Sequence, residues 1–600
     1  MSKIIKLLKN ILKYNHFLPL KMPKRSPRLI IKSTRKYAKY LFVVFAIFLA
    51  LVGVFCTVFS KIFVNRFIDS YMELRPGNKI VDMWTSPDVN VTIDLYFFNW
   101  TNSDDFFTPN VKPKLEEIGP YSFLEVPQKE IFKWHPENNT LDYGKKHYYY
   151  FDKDKSKRQL DDKLVTVNAL LVAAASKTRD WSYMKRTVVD MALRLYQNGI
   201  VWKRTAEEFF FKGFEDNIVN LLSIFPSSFR SAMGIFVPWD RIGFIYGRNG
   251  STDLLGTHTI GTGVGNMEEF GQLLLWNGKN YSEYFPQECS AVKGSPGEFQ
   301  KTNLKKNESI QYFFTDFCRS VNLDYLDEIM VDGILGYRYI ISPNFFDNGT
   351  LNPDNQCFCN GECLPYGAAN ISGCWFGLPI FISNPHFMDA DPYFISKIDG
   401  LKPDMDIHTT TAILEPRTGF MLELRARLQM NFYIQPSSHI RSYQTERRML
   451  FPAFWFDMHM RISKNSIILL KIINNLEMYC HIFGTSIMTI SLLIFLWQPL
   501  KRAWNKRYTH HMEINTMADD DDYDNEDDEN KYKNVKVREA LYSLPQNFPS
   551  LLYISHPRRS LPVIISHLDE DEALSSCLED SRREDFEKDF ENMSRNKGNS

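Results

Sequence analysis

Apolar and polar residues follow three rhythms along this chain. From Val89 to Phe97 the residues Val89, Val91, Ile93, Leu95 and Phe97 share one parity, and Asn90, Thr92, Asp94 and Tyr96 take the other. That period of two predicts a strand with one buried face. The longest alternation runs from Phe420 to Ile434. Phe420, Leu422, Leu424, Ala426, Leu428, Met430, Phe432 and Ile434 fall on one face, and Glu423, Arg425, Arg427, Gln429 and Asn431 on the other. It predicts a long, twisted, half-buried strand of an antiparallel sheet or barrel. Its apolar face is either ordinary core or the wall of a cavity for an apolar ligand. A second rhythm begins at Trp181, where Trp181, Met184, Val188, Met191 and Leu195 recur at spacings of three and four. This predicts a helix, with Gly199 as its C-cap. Thr205-Ala-Glu-Glu208 then reads as a capping box that opens a second helix through Phe209 and Phe210.

The third rhythm is no rhythm at all. Leu41 to Ser60 and Met478 to Leu500 carry no formal charge. About 20 apolar residues suffice for a helix to cross a bilayer, and the rival reading of each run is a buried core helix. The first run is too long and too deep in the chain for a cleaved signal peptide, and no small-residue cleavage site follows it, so it reads as a signal anchor. Lys21, Lys24, Arg25, Arg28, Lys32, Arg35, Lys36 and Lys39 precede it, and Lys501, Arg502, Lys506 and Arg507 follow the second run. By the positive-inside rule both flanks are cytosolic. The expected organisation is a basic cytosolic segment 1–39, a span 40–62, an exterior domain 63–477, a span 478–500 and a cytosolic, disordered tail 501–600.

Charge and cysteines refine this picture. The totals balance, with 71 basic and 71 acidic residues, but the first 39 residues hold no acid and Asp519 to Glu529 is a dense acidic run. Six of the nine cysteines, Cys289, Cys318, Cys357, Cys359, Cys363 and Cys374, fall in the expected exterior domain. An even set confined there points to disulfides in an oxidising compartment. A zinc site is the rival, although Cys357-Phe-Cys359 is too tight for the usual spacing, and the residues alone do not fix the pairing. Glycosylation acceptors stand at Asn90, Asn99, Asn138, Asn249, Asn280, Asn307, Asn348 and Asn370. Lys177, Arg179, Lys185, Arg186 and Arg194 crowd the predicted helices, as a solvated face or as a docking surface for anionic ligands. No hydrolase, metalloprotease, nucleotide-binding or kinase motif is present. Paired acids such as Glu116-Glu117 are common by chance. The acidic run lacks the spacing of a calcium loop. Nothing implies an enzyme, a cofactor, a metal or a nucleic-acid partner.

Seven stretches together carry a resemblance. EIGPYSF (Glu117 to Phe123), VNALLVAAAS (Val167 to Ser176), FCRSV (Phe317 to Val321), NPDNQCFC (Asn352 to Cys359), GLPIFISNPHF (Gly377 to Phe387), IDGLKP (Ile398 to Pro403) and LEPRTGF (Leu414 to Phe420) resemble the class B scavenger receptors, in that family's order and between two spans. The resemblance implies an ectodomain of mainly β structure: an antiparallel β-barrel with a helical bundle at the apex, near Val167 to Phe225, and an internal hydrophobic tunnel. It implies the pairs Cys289–Cys357, Cys318–Cys374 and Cys359–Cys363. It also implies a receptor at the plasma membrane that docks lipoproteins, or free lipids such as fatty acids and sterols, on its apex; the basic residues Lys177, Arg179, Lys185, Arg186 and Arg194 would serve capture there, although the apical lysine that some relatives use has no counterpart in this chain. Phe420, Leu422, Leu424, Ala426 and Leu428 would line the lipid path. The alternative within the family is a lysosomal or endosomal receptor for a partner protein, and the helix ending LRLYQNG is closer to the family's lysosomal member. In the tail, Tyr532-Lys-Asn-Val535 fits a tyrosine sorting pattern, while Leu551-Leu552 lacks the acid of a dileucine signal.

Overall fold

The alternating stretches form strands. In the computed structural model, which describes residues 27–195, 199–223 and 240–518, they pair into one antiparallel sheet of 13 strands. The strands are β1 (Val89–Trp100), β2 (Leu115–His135), β3 (Thr140–Phe151), β4 (Lys163–Val167), β5 (Val201–Thr205), β6 (Thr257–Gly261), β7 (Leu273–Trp276), β8 (Ile310–Phe314), β9 (Arg319–Val331), β10 (Ile334–Ile341), β11 (Ala368–Asn370), β12 (Ile380–Ser383), β13 (Thr411–Leu414), β14 (Met421–Ile434) and β15 (Met449–Ile462). Their order is β7-β6-β3-β2-β1-β15-β14-β13-β10-β9-β8, with β12 also on β14 and β11 on β12, while β4 and β5 form a separate hairpin. The tail features, Asp519 to Glu529, Tyr532 to Val535, Leu551-Leu552 and Cys577, lie outside the described residues, as do residues 1–26 and the end of the expected apical segment.

The sheet curls until its edges nearly meet. Leu273 of β7 donates its backbone N–H to Gly294 O at 2.9 Å. Ser295 donates to Gln311 O of β8 at 3.0 Å and accepts from Phe313 N at 2.8 Å. Two residues thus bridge the edge strands. Gly294 has φ +91°, and a side chain there would meet Gln311 O at 2.4 Å, so the position requires glycine. Closure of this kind leaves few unpaired edges. In β1 the inward residues Val91, Ile93, Leu95 and Phe97 are all buried, as the alternation predicts.

The long helices sit at one end of the barrel. Helix α1 (Pro27–Val58) contains the first apolar run, and α2 (Ser60–Met72) and α3 (Lys79–Thr85) lead from it to β1. Helix α4 (Ala169–Thr178) and helix α5 (Tyr183–Leu195) follow β4. Strand β15 runs into α6 (Lys464–Ala518), which contains the second apolar run. Both apolar runs are long and apolar enough to cross a membrane, with mean hydropathy 3.0 and 1.8. They pack against each other. A side chain added at Gly484 would lie 2.9 Å from Gly53 O, Ser491 Oγ donates to Ala46 O at 2.6 Å, and Ser60 Oγ meets His481 Nε2 at 3.1 Å. Small residues and hydroxyl contacts of this kind hold helices together where no hydrophobic effect acts between them.

Helices α4 and α5 lie at the opposite end. The start of β15, Met449 to Phe451, packs in one core cluster with Leu171, Val172 and Leu193, whereas its far end joins α6. Fourteen residues of β15 span about 45 Å, which sets the distance between the two ends. Asn168 caps α4 by accepting from Leu171 N at 3.0 Å. The capping box also forms: Glu208 accepts from Thr205 N at 2.8 Å and Thr205 Oγ1 from Glu208 N at 3.3 Å. The helix it opens is a short π turn, Glu208–Lys212, so the expected second helix ends after one wide turn. The first helix starts at Tyr183 instead of Trp181, and residues 196–198 before Gly199 lie outside the described residues.

Candidate functional site in the barrel interior

The inward faces of the strands do not fill the barrel. They leave an elongated, mostly apolar cavity of about 480 Å³, within the range of ligand-binding sites. Strand β14 runs its length. Phe420, Met421, Leu424, Ala426, Leu428 and Met430 all line it. Phe420 belongs to the end wall near Trp84 and Phe299, and Leu428 and Met430 to the far wall with Val321 and Ile382. Ten residue steps make this about 33 Å.

Three of the alternating residues, Leu422, Phe432 and Ile434, do not line the cavity. Leu422 does not face the cavity: it is fully buried among Ile413, Ile467 and Leu470. The cause is a register shift, since Ile413 of β13 pairs with Glu423 while Leu414 pairs with Met421. The irregularity turns Met421 inward in its place. A second shift between Met430 and Asn431 against β15 carries Ile434 away into the cluster beneath α4. From Arg427 onward the polar face is not solvated either. Gln429 and Asn431 are fully buried. Asn431 Nδ2 donates to Ser383 Oγ at 3.0 Å, and Gln429 Oε1 accepts from His386 N at 2.6 Å. Arg427 is buried with Asp457 at 3.1 Å.

The polar groups of the cavity wall carry no sequence signal: Glu125, Tyr143, Lys145 and His147 sit on strands as solvent-facing residues would, and Arg248, Glu298 and Asp316 sit in connecting loops. Lys145 Nζ lies 3.0 Å from Glu298 Oε1, and Tyr143 Oη donates to Glu298 Oε2 at 3.0 Å. Arg248 pairs with Asp316 at 2.5 Å, and His147 Nδ1 with Glu125. Burial works to raise Glu298, but Lys145 and Lys129 outweigh it and hold the carboxyl below the usual carboxylate range.

Near the far end, Glu117 belongs to a cluster the chain's order does not reveal. His386 Nδ1 accepts from Lys402 N at 3.0 Å, so Nε2 carries the proton and donates to Glu117 Oε2 at 2.6 Å. Trp455 Nε1 donates to the same oxygen at 2.8 Å. Burial alone would raise Glu117, but these two donors hold it below its usual range. His408, its ring stacked 4.7 Å from that of His386, is pushed down to about 4 by burial and by the neighbouring His386.

The basic residues of the opposite end differ among themselves. Lys177, Arg179, Lys185 and Arg194 are exposed and Arg186 half-buried. Arg179 is engaged with Glu362 at 2.9 Å and Gln435 at 3.1 Å, Arg186 donates to Arg179 O at 3.3 Å, and Arg194 pairs with Asp190 at 3.0 Å. The apolar stripe of α5 faces out: Met184 is 79% and Leu195 80% exposed. The inward residues are Leu193 and Asp190, whose Oδ1 accepts from Arg441 N at 2.8 Å.

The cysteines pair as Cys289–Cys357, Cys318–Cys374 and Cys359–Cys363, with Cα separations of 6.0, 5.7 and 4.8 Å, all within the range a disulfide allows. Of the acceptor asparagines, Asn90, Asn138, Asn249, Asn280 and Asn307 are exposed and Asn99 and Asn348 half-buried. Asn370 is a correction. It is 6% exposed, and its Nδ2 donates to Cys359 O at 2.7 Å. A buried amide already holding the disulfide loop offers no site for a glycan.

Comparison with known proteins bears on this arrangement. The sequence profile of the CD36 family matches residues 41–501. Protein peste of Drosophila melanogaster is 31% identical over 466 residues, 76% of this chain and 82% of its own. Lysosome membrane protein 2 of Homo sapiens is 28% identical over 452 residues, 74% of this chain and 90% of its own. Scavenger receptor class B member 1 of Rattus norvegicus is 28% identical over 412 residues, 68% of this chain and 78% of its own.

Proposed function

Because this chain belongs to the CD36 family of class B scavenger receptors, whose members are receptors and not enzymes, we propose that it binds lipoproteins or free lipids at α4 and α5 and passes apolar cargo through its barrel to the bilayer. The observation that carries this reading is the cavity. Its apolar wall runs about 33 Å along β14, from the end that joins the long helices toward the end that bears α4 and α5. Capture would fall to Lys177 and Lys185, with Arg179, Arg186 and Arg194 shaping the surface around them. Phe420, Leu424, Ala426 and Leu428, joined by Met421 and Met430, would form the path.

In this reading both termini are cytosolic and the barrel faces the exterior of the plasma membrane. Cells presenting the chain should bind labelled lipoprotein and take up its lipid above matched controls, each signal normalised to surface protein. Binding and uptake at control level, with the protein at the surface, would overturn the proposal. The likeness to Lysosome membrane protein 2 favours a second placement, on lysosomal or endosomal membranes, with a protein ligand at the same helices. A tagged full-length chain found in acidic organelles and absent from the cell surface would decide for it.

A further inference from the structure

Arg319 and Arg427 are both buried, at 4% and 8% exposure, and they are treated differently. Arg427 meets Asp457 at 3.1 Å and Thr409 O at 3.0 Å. Arg319, the first residue of β9, contacts no carboxylate among the described residues. Its Nε and Nη1 are buried without a hydrogen-bond partner. Burial pulls the guanidinium down to about 9, so it is still charged near neutral pH. Aromatic rings cover it: its central carbon lies 3.4 Å from the centre of the Phe358 ring and 4.9 Å from that of Phe345. A ring attracts a cation through its face. Guanidinium N–H bonds point outward in their own plane, where a ring stacked on the face supplies no acceptor. A buried charge with unmet donors is costly.

Arg319 borders a second cavity, of about 10 Å³, whose wall includes Phe358, Ala368 and Phe381. That is room for one water-sized species. The cavity shares no lining residue with the barrel interior. Two acids also border it, and both are engaged elsewhere. Asp347 accepts from the backbone N–H groups of Thr350, Leu351 and Asn352 and from Asn355 Nδ2. Glu362 pairs with Arg179 at 2.9 Å. A water in the cavity would meet the donors and leave the charge unbalanced. A small anion from solution does both.

We propose that Arg319 and this cavity form a binding site for one small inorganic anion of about the size of chloride. Its place gives the ion a structural task. Arg319 follows Cys318, which is bonded to Cys374. Phe358 stands between Cys357 and Cys359, which are bonded to Cys289 and Cys363. The anion fixes the guanidinium against Phe358 and so joins the strand that carries one disulfide to the turn that carries the other two. None of this depends on what the barrel interior holds.

The test melts the full-length chain in neutral nanodiscs while chloride replaces sulfate at constant ionic strength. Sulfate is too large for the cavity, and as an excluded salt it ordinarily strengthens burial. A general salt effect therefore lowers the melting temperature as chloride replaces sulfate, and a filled site raises it. The rise should be about 2–4 °C and should level off as the site saturates. Bromide should act as chloride does, and Arg319→Met should abolish the rise. Crystals of the native full-length chain grown in bromide locate the ion without any variant: its anomalous peak should lie in contact with Arg319 Nε and Nη1. A native melting temperature that stays flat or falls with chloride overturns the proposal. So does a rise that persists in folded Arg319→Met, or a bromide-grown crystal with only water at the guanidinium.

Discussion

Helix α5 and strand β14 carry apolar stripes of similar regularity, and the fold treats them in opposite ways. The stripe of β14 faces the barrel interior, and its Leu428 is 4% exposed. The stripe of α5 faces outward. What turns α5 is its other side, where the Asp190 carboxylate accepts from the Arg441 backbone and pairs with Arg194 and where Leu193 is buried. Periodicity identifies residues that share a face. It does not say what covers that face. Among the described residues nothing covers the apolar face of α5.

The largest effect should come from placing a charge on each stripe. Leu428→Asp puts a carboxylate into the apolar wall and should cost about 3 kcal/mol or more. Met191→Asp on α5 should stay within about 0.5 kcal/mol of the native chain. Unfolding of the full-length protein and its surface level measure both. Equal damage from the two would mean that the helix stripe is covered.

The contrast has an electrostatic form. His408, against Trp455 and His386 beside the buried polar face of β14, is held at about 4 in the fold, and His258 inside the barrel at about 3, both chiefly by burial. A histidine free in the unfolded chain titrates near about 6.5. Their contribution to stability is thus complete above that value, and it is lost as pH falls from about 6.5 toward 4, where the unfolded chain takes up protons that the fold refuses. Melting temperature should drop across this window, and His408→Gln should flatten part of the drop. Substitutions on the α5 stripe, which contains no titrating group, should leave the pH profile unchanged.

A smaller effect on stability, but a decisive one on transport, is expected of Ala426→Phe. Ala426 faces open cavity, so the larger ring meets space in place of packed side chains. The cost should stay below the roughly 1–3 kcal/mol of overpacking a filled core. Surface level should be near normal, particle binding retained and lipid uptake strongly reduced. Normal uptake by this variant would detach β14 from the lipid path.

The smallest effect on the fold should come from Lys177→Glu with Lys185→Glu. Both lysines are exposed and, among the described residues, unpaired, so stability should change by less than about 0.5 kcal/mol. Binding of anionic particles should weaken, and the difference from the native chain should shrink as salt rises, because exposed charges act over about 10 Å at moderate ionic strength. Arg179 and Arg186 are poorer probes, since their hydrogen bonds to Glu362, Gln435 and Arg179 O tie them to local structure.

Much of this protein was legible in its order of residues. Charge-free length marked the two helices that can cross a membrane, because a helix needs about 20 apolar residues in succession to span a bilayer core. Period two marked β1 and β14, because successive side chains of a strand point to opposite sides. Spaced motifs from Glu117 to Phe420 carried the family. Tertiary structure decided the rest, where a local pattern has two equivalent outcomes. One register shift exchanged Met421 for Leu422 on the cavity wall. The Asp190 carboxylate and buried Leu193 fixed which side of α5 faces in. Pairing of β2 with β3 set Lys129 opposite Lys145, which is paired with Glu298, and burial turned an ordinary sequon at Asn370 into a hydrogen-bond brace for the Cys359 backbone. Each of these depends on contacts between residues far apart in the chain, and local periodicity holds no information about such distances.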